Sequence, residues 1–274
     1  MDSLRENGYI VIPVISEESA DKYYSKFKSW SNNLRTIPAH GVISHYEIGH
    51  QPFMWELRVE EEVMKPYKEI YGESGLVVSF DGMGYIPSTL NRKDRDWWHV
   101  DQEPKNPEFK CIQSFVSLTN NTERVFQCIK GSHKYFEEYF NKNQSNTSSK
   151  AWQKVNVEYF EDIGLEKIQV NVKKGEMVLW DSRLVHCNRY GNSGEERLVA
   201  YISYRPRSKM TEQQGKKRLA AFENRRTTSH WAYPIRLNSL QPQVYGDKTK
   251  LINYNDLPKI KYTEQLYKKI QKLL

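Results

Sequence analysis

The stretch Trp97-Trp98-His99-Val100-Asp101-Gln102 sets an imidazole and a carboxylate two residues apart. If it is extended, side chains at i and i+2 leave the same face, so His99 and Asp101 aim at one point. The surrounding sequence is built for strands. Leu76–Phe80, Cys111–Leu118, Val125–Ile129, Ile168–Val172, Met177–Trp180 and Leu198–Tyr204 are short β-type runs bounded by turn residues. Many short strands with turn signals between them predict a jelly-roll sandwich. Flanking segments read as helical. After an apolar strand at Asn7–Pro13, Ser16-Glu17-Glu18-Ser19 has the form of a helix N-terminus, continued by a stripe of Tyr23, Tyr24, Phe27 and Trp30. A second helix is expected from about Val59 to Tyr71. Beyond Pro206, Glu212–Asn224 and Tyr262–Leu274 predict a helical addition that packs its apolar faces on the domain. The expectation is one mainly β domain with flanking α over residues 1–274, its core at about 75–208 and the addition at about 209–274.

Downstream, Trp180-Asp181-Ser182-Arg183-Leu184-Val185-His186 supplies a second imidazole, and eleven residues later Arg197 opens an apolar run. Two imidazoles and a carboxylate on one face of an octahedral ion leave the opposite positions open, the arrangement of non-haem Fe(II) oxygenases. Arg197 adds a planar, permanently charged fork that grips a carboxylate bidentately. Taken singly, a His-x-Asp tripeptide is common by chance, and a lone His186 is more often a hydrogen-bonded core residue. The order His99-x-Asp101, His186, Arg197 is what favours an iron centre with a dicarboxylic co-substrate.

The chain resembles the phytanoyl-CoA dioxygenase family of Fe(II)/2-oxoglutarate-dependent oxygenases. The resemblance rests on Asn7-Gly8-Tyr9-Ile10-Val11-Ile12-Pro13, Trp98-His99-Val100-Asp101-Gln102, the turn Gly131-Ser132-His133-Lys134, and Gly175-Glu176-Met177-Val178-Leu179-Trp180 leading to His186. It covers roughly residues 1–208, and Arg197 has the family's spacing from His186. It implies a double-stranded β-helix, or cupin-like, core and Fe(II) held by His99, Asp101 and His186. It also implies O2 and 2-oxoglutarate as co-substrates, the latter anchored by Arg197 with Gln113 or Ser203 as helpers. The implied reaction is hydroxylation of an unactivated C–H bond with release of succinate and CO2. Asp101, standing where a halide would need to bind, favours hydroxylation over halogenation. Trp98, Gln102, Phe115 and Tyr85 are candidate pocket residues.

Composition bounds the alternatives. With 13% aromatic residues, the chain has far too much apolar ring for a disordered protein. A net charge of +7 is spread among 34 acidic residues without a basic block, so a small-molecule substrate is favoured over nucleic acid. Two rivals stand beside this reading: a nucleic-acid oxygenase of the same chemistry, and a silent β-sandwich binding module. Three cysteines without a C-x-x-C pair argue against a disulfide framework and for a reducing, cytoplasmic setting. No run of apolar residues approaches a membrane span, and the assembly expected is a monomer or homodimer. Asn141–Lys150 is polar enough for a mobile surface loop, either a lid or a tolerated insertion. Arg225–Trp231, where cationic and aromatic residues crowd together, reads as a substrate rim or a helix-ending turn. His40, His45, His50, His133 and His230 are assigned structural roles.

Overall fold

Side-chain alternation along a strand decides what reaches the interior, and most strands here have both faces covered. The computed structural model of the chain describes residues 2–32, 34, 38, 40–90, 93–143, 147–191 and 194–274. In chain order the strands are β1 (Tyr9–Pro13), β2 (Val42–Ile43), β3 (Leu76–Val78), β4 (Met83–Ile86), β5 (His99–Val100), β6 (Ile112–Ser117) and β7 (Asn121–Ile129). They continue as β8 (Gln153–Lys154), β9 (Lys167–Val172), β10 (Glu176–Asp181), β11 (His186–Asn188), β12 (Arg197–Tyr201) and β13 (Tyr204–Pro206). One sheet has the order β1-β10-β6-β12-β4-β2, and a second has the order β8-β5-β11-β7-β9. Neighbouring strands are antiparallel and mostly distant in sequence, as in a double-stranded β-helix.

Strand β10 shows how the layers form. Met177 and Leu179 point outward into a large cluster shared with the helices, while Val178 and Trp180 point inward. Strand β6 divides in the same way, with Ile112 and Val116 outward and Phe115 inward. From the facing sheet, Phe126, Cys128, Val170 and Val172 complete the inner core. Behind that second sheet, Trp98, Val100 and Cys187 pack on Phe136, Phe140 and Phe160. Helices thus cover both outer faces, which explains why Met177–Asp181 is buried without a break.

The N-terminal helix spans Glu17–Ser31 and is capped as the sequence predicts, with the Ser16 hydroxyl accepting from the Ser19 N–H. The helix expected from about Val59 to Tyr71 forms over Glu61–Tyr71, and an unforeseen helix, Pro52–Arg58, precedes it. Pro52 starts that earlier helix at a position where its missing N–H costs nothing. The strand expected over Leu198–Tyr204 also splits. Strand β12 stays in the first sheet, whereas β13 pairs with β3. Between them the chain is held by Ser203, whose N–H donates to the Ser79 hydroxyl and whose carbonyl accepts from the Ser79 N–H. Of the loop expected at Asn141–Lys150, Asn141 and Lys142 form the last turn of helix Phe136–Lys142, and residues 144–146 lie outside the described residues.

The C-terminal segments pack as expected. Helices Glu212–Glu223 and Glu264–Gln271 place Ala221, Phe222, Leu266 and Ile270 in the largest core cluster. Arg218, fully buried, ties them together by donating to the carbonyls of Ala232, Leu273 and Leu274. Among the described residues no helix is long and apolar enough to cross a membrane.

Candidate active site

The inward parity of two adjacent strands builds the centre of the site. Strands β5 and β11 are antiparallel neighbours in which His99 pairs directly with His186. Their imidazoles are close and tilted by 51°, ring centroids 4.4 Å apart. Asp101 follows the end of β5, where its N–H donates to the Ser182 carbonyl. One carboxylate oxygen, Oδ2, lies 3.7 Å from His99 Nε2 and 3.4 Å from His186 Nε2. Ligand atoms of the three residues all fall within 4.8 Å of one another.

The tautomers suit a metal. Each histidine directs Nδ1 at the backbone carbonyl two residues earlier, His99 to Trp97 and His186 to Leu184, at 2.9 Å in both cases. An Nδ1–H bonded to a carbonyl leaves the lone pair on Nε2, and both Nε2 atoms face Asp101. Burial pulls the His186 pKa down, as does the neighbouring His99, so the ring is neutral and able to ligate. Burial alone would raise the Asp101 pKa, but His99 and His186 hold it well below the ordinary carboxylate range. The centre is therefore a carboxylate facing the Nε2 atoms of two imidazoles, a donor set that matches a divalent cation of intermediate softness.

Around this centre lies a cavity of about 300 Å³. Trp97 stacks on the His99 ring at 4.9 Å and Trp152 lies on its other neighbour side at 5.5 Å, both nearly parallel to it. Phe126 stacks on His186 in the same way at 5.5 Å, while Trp180 meets that ring tilted at 5.3 Å. Gln113 lines the cavity, but its amide donates to Asp101 Oδ2 at 3.2 Å rather than to a co-substrate anchor. Phe115 lines it as expected and carries the Arg197 guanidinium over its ring at 5.2 Å. Arg197 is 1% exposed and donates to Asn188 Oδ1, yet no carboxylate pairs with it among the described residues. Room for it comes from Gly84, where an added Cβ would stand 3.2 Å from Arg197 Nη1.

Four expected site residues lie elsewhere. Trp98 belongs to the outer cluster behind the second sheet, because strand parity turns it away while Trp97 shares the face of His99. Gln102 is fully buried and holds a turn, donating to the carbonyls of Asn106 and Glu108 and accepting from Ser182. Tyr85 is outward-facing and bonds Glu196 and Lys28 against the N-terminal helix. Ser203 is outside the cavity lining, at the break between β12 and β13. Cys187 likewise faces the outer cluster, not the metal centre.

Other residues enter the site unforeseen. Asp81 lines the cavity, and burial pushes its pKa up to about 7 against the pull of the Gly82 N–H and Arg58. Arg58 does not pair with that carboxylate; it donates to the Asp81 and Gly49 carbonyls. Ser229 and His230 also line the cavity, so the crowded Arg225–Trp231 segment forms part of its wall and His230 leaves the structural group. Burial lowers the His230 pKa to about 4, keeping the ring neutral beside Asp101. The cue in the sequence was the crowding of polar and aromatic residues at 225–231; nothing there located Asp81.

The fold is that of the cupin-type iron and 2-oxoglutarate oxygenases. The epimerase SnoN, solved with Fe3+, alpha-ketoglutarate and nogalamycin RO, superposes with a TM-score of 0.54 at 15% identity, covering 75% of this chain and 81% of its own. HygX from Streptomyces hygroscopicus, solved with nickel and 2-oxoglutarate, gives 0.53 at 16% identity over 74% and 85% of the chains. EctD from S. alaskensis with 2-oxoglutarate and 5-hydroxyectoine gives 0.55 at 18% identity over 77% and 76%. In sequence, the Ava biosynthesis cluster protein O of Aspergillus versicolor is 25% identical over 255 residues, 82% of this chain and 83% of that protein. No family model matches the chain.

Proposed function

We propose that this protein is an Fe(II)- and 2-oxoglutarate-dependent oxygenase that hydroxylates a small organic substrate. The observation that carries the reading is the triad itself: His99 and His186, paired across two strands, turn both Nε2 lone pairs toward the Asp101 carboxylate. His99, Asp101 and His186 would hold the iron. Arg197, a buried cation without a carboxylate partner among the described residues, would receive the distal carboxylate of 2-oxoglutarate. The chemistry that iron and 2-oxoglutarate supply when bound is oxidation by O2 coupled to decarboxylation, giving succinate, CO2 and attack on a substrate C–H bond. The protein's own part is positional. Gln113 orients Asp101 by its amide, the two backbone carbonyls fix the imidazoles, and the aromatic walls exclude water from the reacting centre.

Hydroxylation is favoured because Asp101 fills the position that a halogenating site leaves for halide. Two structural neighbours, an epimerase and the carbocyclase SnoK, show the same fold supporting other outcomes. The resemblance at Gly131–Lys134 and at Asn7–Pro13 supports a place near the phytanoyl-CoA dioxygenases, and the buried, unlinked cysteines suit the cytoplasm. A nucleic-acid substrate is disfavoured by the cavity, whose described lining contains no Lys or Arg to meet phosphate.

The test is a metabolite screen of purified protein with Fe(II), 2-oxoglutarate and oxygen, following substrate-dependent succinate. A product heavier by one oxygen is the expected result. Unchanged product mass would indicate epimerisation and loss of two hydrogens a ring closure. Failure to bind 2-oxoglutarate in the presence of Fe(II) would overturn the oxygenase reading itself.

A further inference from the structure

The cavity has a polar wall that neither the metal centre nor Arg197 uses. Asp81 stands there without a Lys, Arg or His ion-pair partner among the described residues. Beside it, Ser229 Oγ and His230 Nε2 are buried and make no hydrogen bond. A carboxyl group, an unpartnered hydroxyl and an unpartnered imidazole nitrogen therefore line one cavity. Buried polar atoms are rarely left without partners, and several together lining a cavity imply a missing ligand group. The remaining wall is aromatic, with the indoles of Trp97, Trp152 and Trp180 among its faces. Those faces attract cations, and the described lining holds no Lys or Arg to repel one.

We infer that the cavity recognises a substrate bearing a protonated amine, held by Asp81, Ser229 and His230 against the indole wall. An ammonium offers three donors and no acceptor, the complement of Asp81, Ser229 and His230, while the Trp180 Nε1–H, also buried and unpartnered in this lining, is left for an acceptor elsewhere on the substrate. The segment carrying Ser229 and His230 is fixed for the purpose. Thr228 bridges Leu237, the Ser229 N–H donates to the Arg236 carbonyl, and the Phe80 N–H donates to the Thr228 hydroxyl. That last bond ties the C-terminal wall to the residue preceding Asp81. An acidic substrate head, such as a free carboxylate or phosphate, would stand against a buried acid here, whereas an ammonium would draw Asp81 into its charged form. This inference rests on the oxygenase reading in taking the cavity as the substrate site, and it names the substrate class.

The experiment uses three probes of similar shape and different charge: benzylammonium, benzyl alcohol and benzoate. Each is titrated calorimetrically into protein loaded with Fe(II) and 2-oxoglutarate under nitrogen, and again into metal-free protein. Benzylammonium is expected to bind about ten-fold or more tightly than benzyl alcohol, with benzoate weakest, since a charge-assisted hydrogen bond is being gained. Asp81→Asn should abolish that preference while 2-oxoglutarate affinity, read separately, is retained. Ser229→Ala, which leaves the Asp81 turn untouched, should weaken benzylammonium alone and serves if Asp81→Asn does not fold. Equal affinity for the three probes, binding of none, a preference for benzoate, or an ammonium preference surviving in Asp81→Asn overturns the inference. Protein that takes up no 2-oxoglutarate with Fe(II) yet discriminates the probes through Asp81 would overturn the oxygenase reading and leave amine recognition standing.

Discussion

Arg197, behind the Phe115 and Asn188 of the cavity wall rather than in its lining, and the triad make separable demands. Removing any one of His99, Asp101 or His186 by substitution with Ala removes a ligand from a three-residue centre, so each variant is expected to lose iron and all keto-acid turnover. Metal analysis of the purified variants checks this; full iron retention in all three would refute the assignment. Arg197→Lys keeps the charge but replaces a planar fork with a flexible point donor. Loss of one charge-assisted hydrogen bond costs about 1.5–3 kcal/mol, or roughly ten- to a hundred-fold in 2-oxoglutarate affinity. Iron binding should persist, since Arg197 sits on Phe115 and Asn188 and not among the ligand atoms. An anaerobic titration following the charge-transfer band of the iron–keto acid pair measures it, and unchanged affinity would make Arg197 a packing residue. Arg205 offers no substitute, because its guanidinium is held by the Tyr233 carbonyl and stacked on the Tyr233 ring.

At the scale of elements, caps and clamps decide how firmly the helical layers hold the sheets. Ser16→Ala removes the acceptor for the Ser19 N–H at the start of helix Glu17–Ser31 and should cost about 1 kcal/mol. Arg218→Met keeps the apolar stem but strands the Ala232 carbonyl in a buried place and leaves the Leu273 carbonyl with the Val78 N–H alone. The expected loss is larger, about 2–4 kcal/mol, because unsatisfied buried groups bear the full desolvation cost. Denaturant midpoints of the two variants should rank in that order; a milder effect at Arg218 would mean the C-terminal helix is anchored by its apolar face alone. Much of this layer was legible beforehand. Ser16 followed by acids marked the helix start, and the 2-residue period placed strand faces. What was not legible came from tertiary context. Adjacency to the candidate ligand His99 points Trp98 at the pocket, although parity assigns that face to Trp97. Tyr85 and Gln102 are polar residues whose partners, Glu196 and the carbonyls of Asn106 and Glu108, become neighbours only once the chain folds.

For the molecule as a whole, acid is the informative stress. His50 is wholly buried, its Nε2 bonded to the Arg226 carbonyl and its ring set among Trp55, Phe80 and Phe222. Burial lowers its pKa from 6.5 to about 3. The unfolded chain therefore takes up a proton there below about pH 6.5 that the folded protein refuses until about pH 3, so stability falls as pH drops through that window. Between pH 6.5 and 5 this one group accounts for about 2 kcal/mol. His50→Gln keeps a donor for Arg226 without the titration, and its unfolding midpoint should depend less on pH over that interval. Equal slopes for parent and variant would show that His50 is not the sensitive group. The cluster of His99, Asp101 and His186 and the β architecture could be read from spacing and pattern, because their residues state their chemistry locally. Asp81 could not, and the 225–231 segment showed only as a crowded stretch, since the two meet only where the folded chain ties Phe80 to Thr228.

The stacking of Trp97 and Trp152 on the His99 ring also gives the protein a built-in reporter. A transition-metal ion on His99 would lie within a few ångströms of two indoles, close enough to drain their excited states. Trp152 is half exposed and so within reach of a collisional quencher, whereas Trp97 is more sheltered. Loading of the centre can thus be followed by tryptophan emission alone, and the share of the signal that acrylamide removes before and after loading separates the outer indole from the inner one.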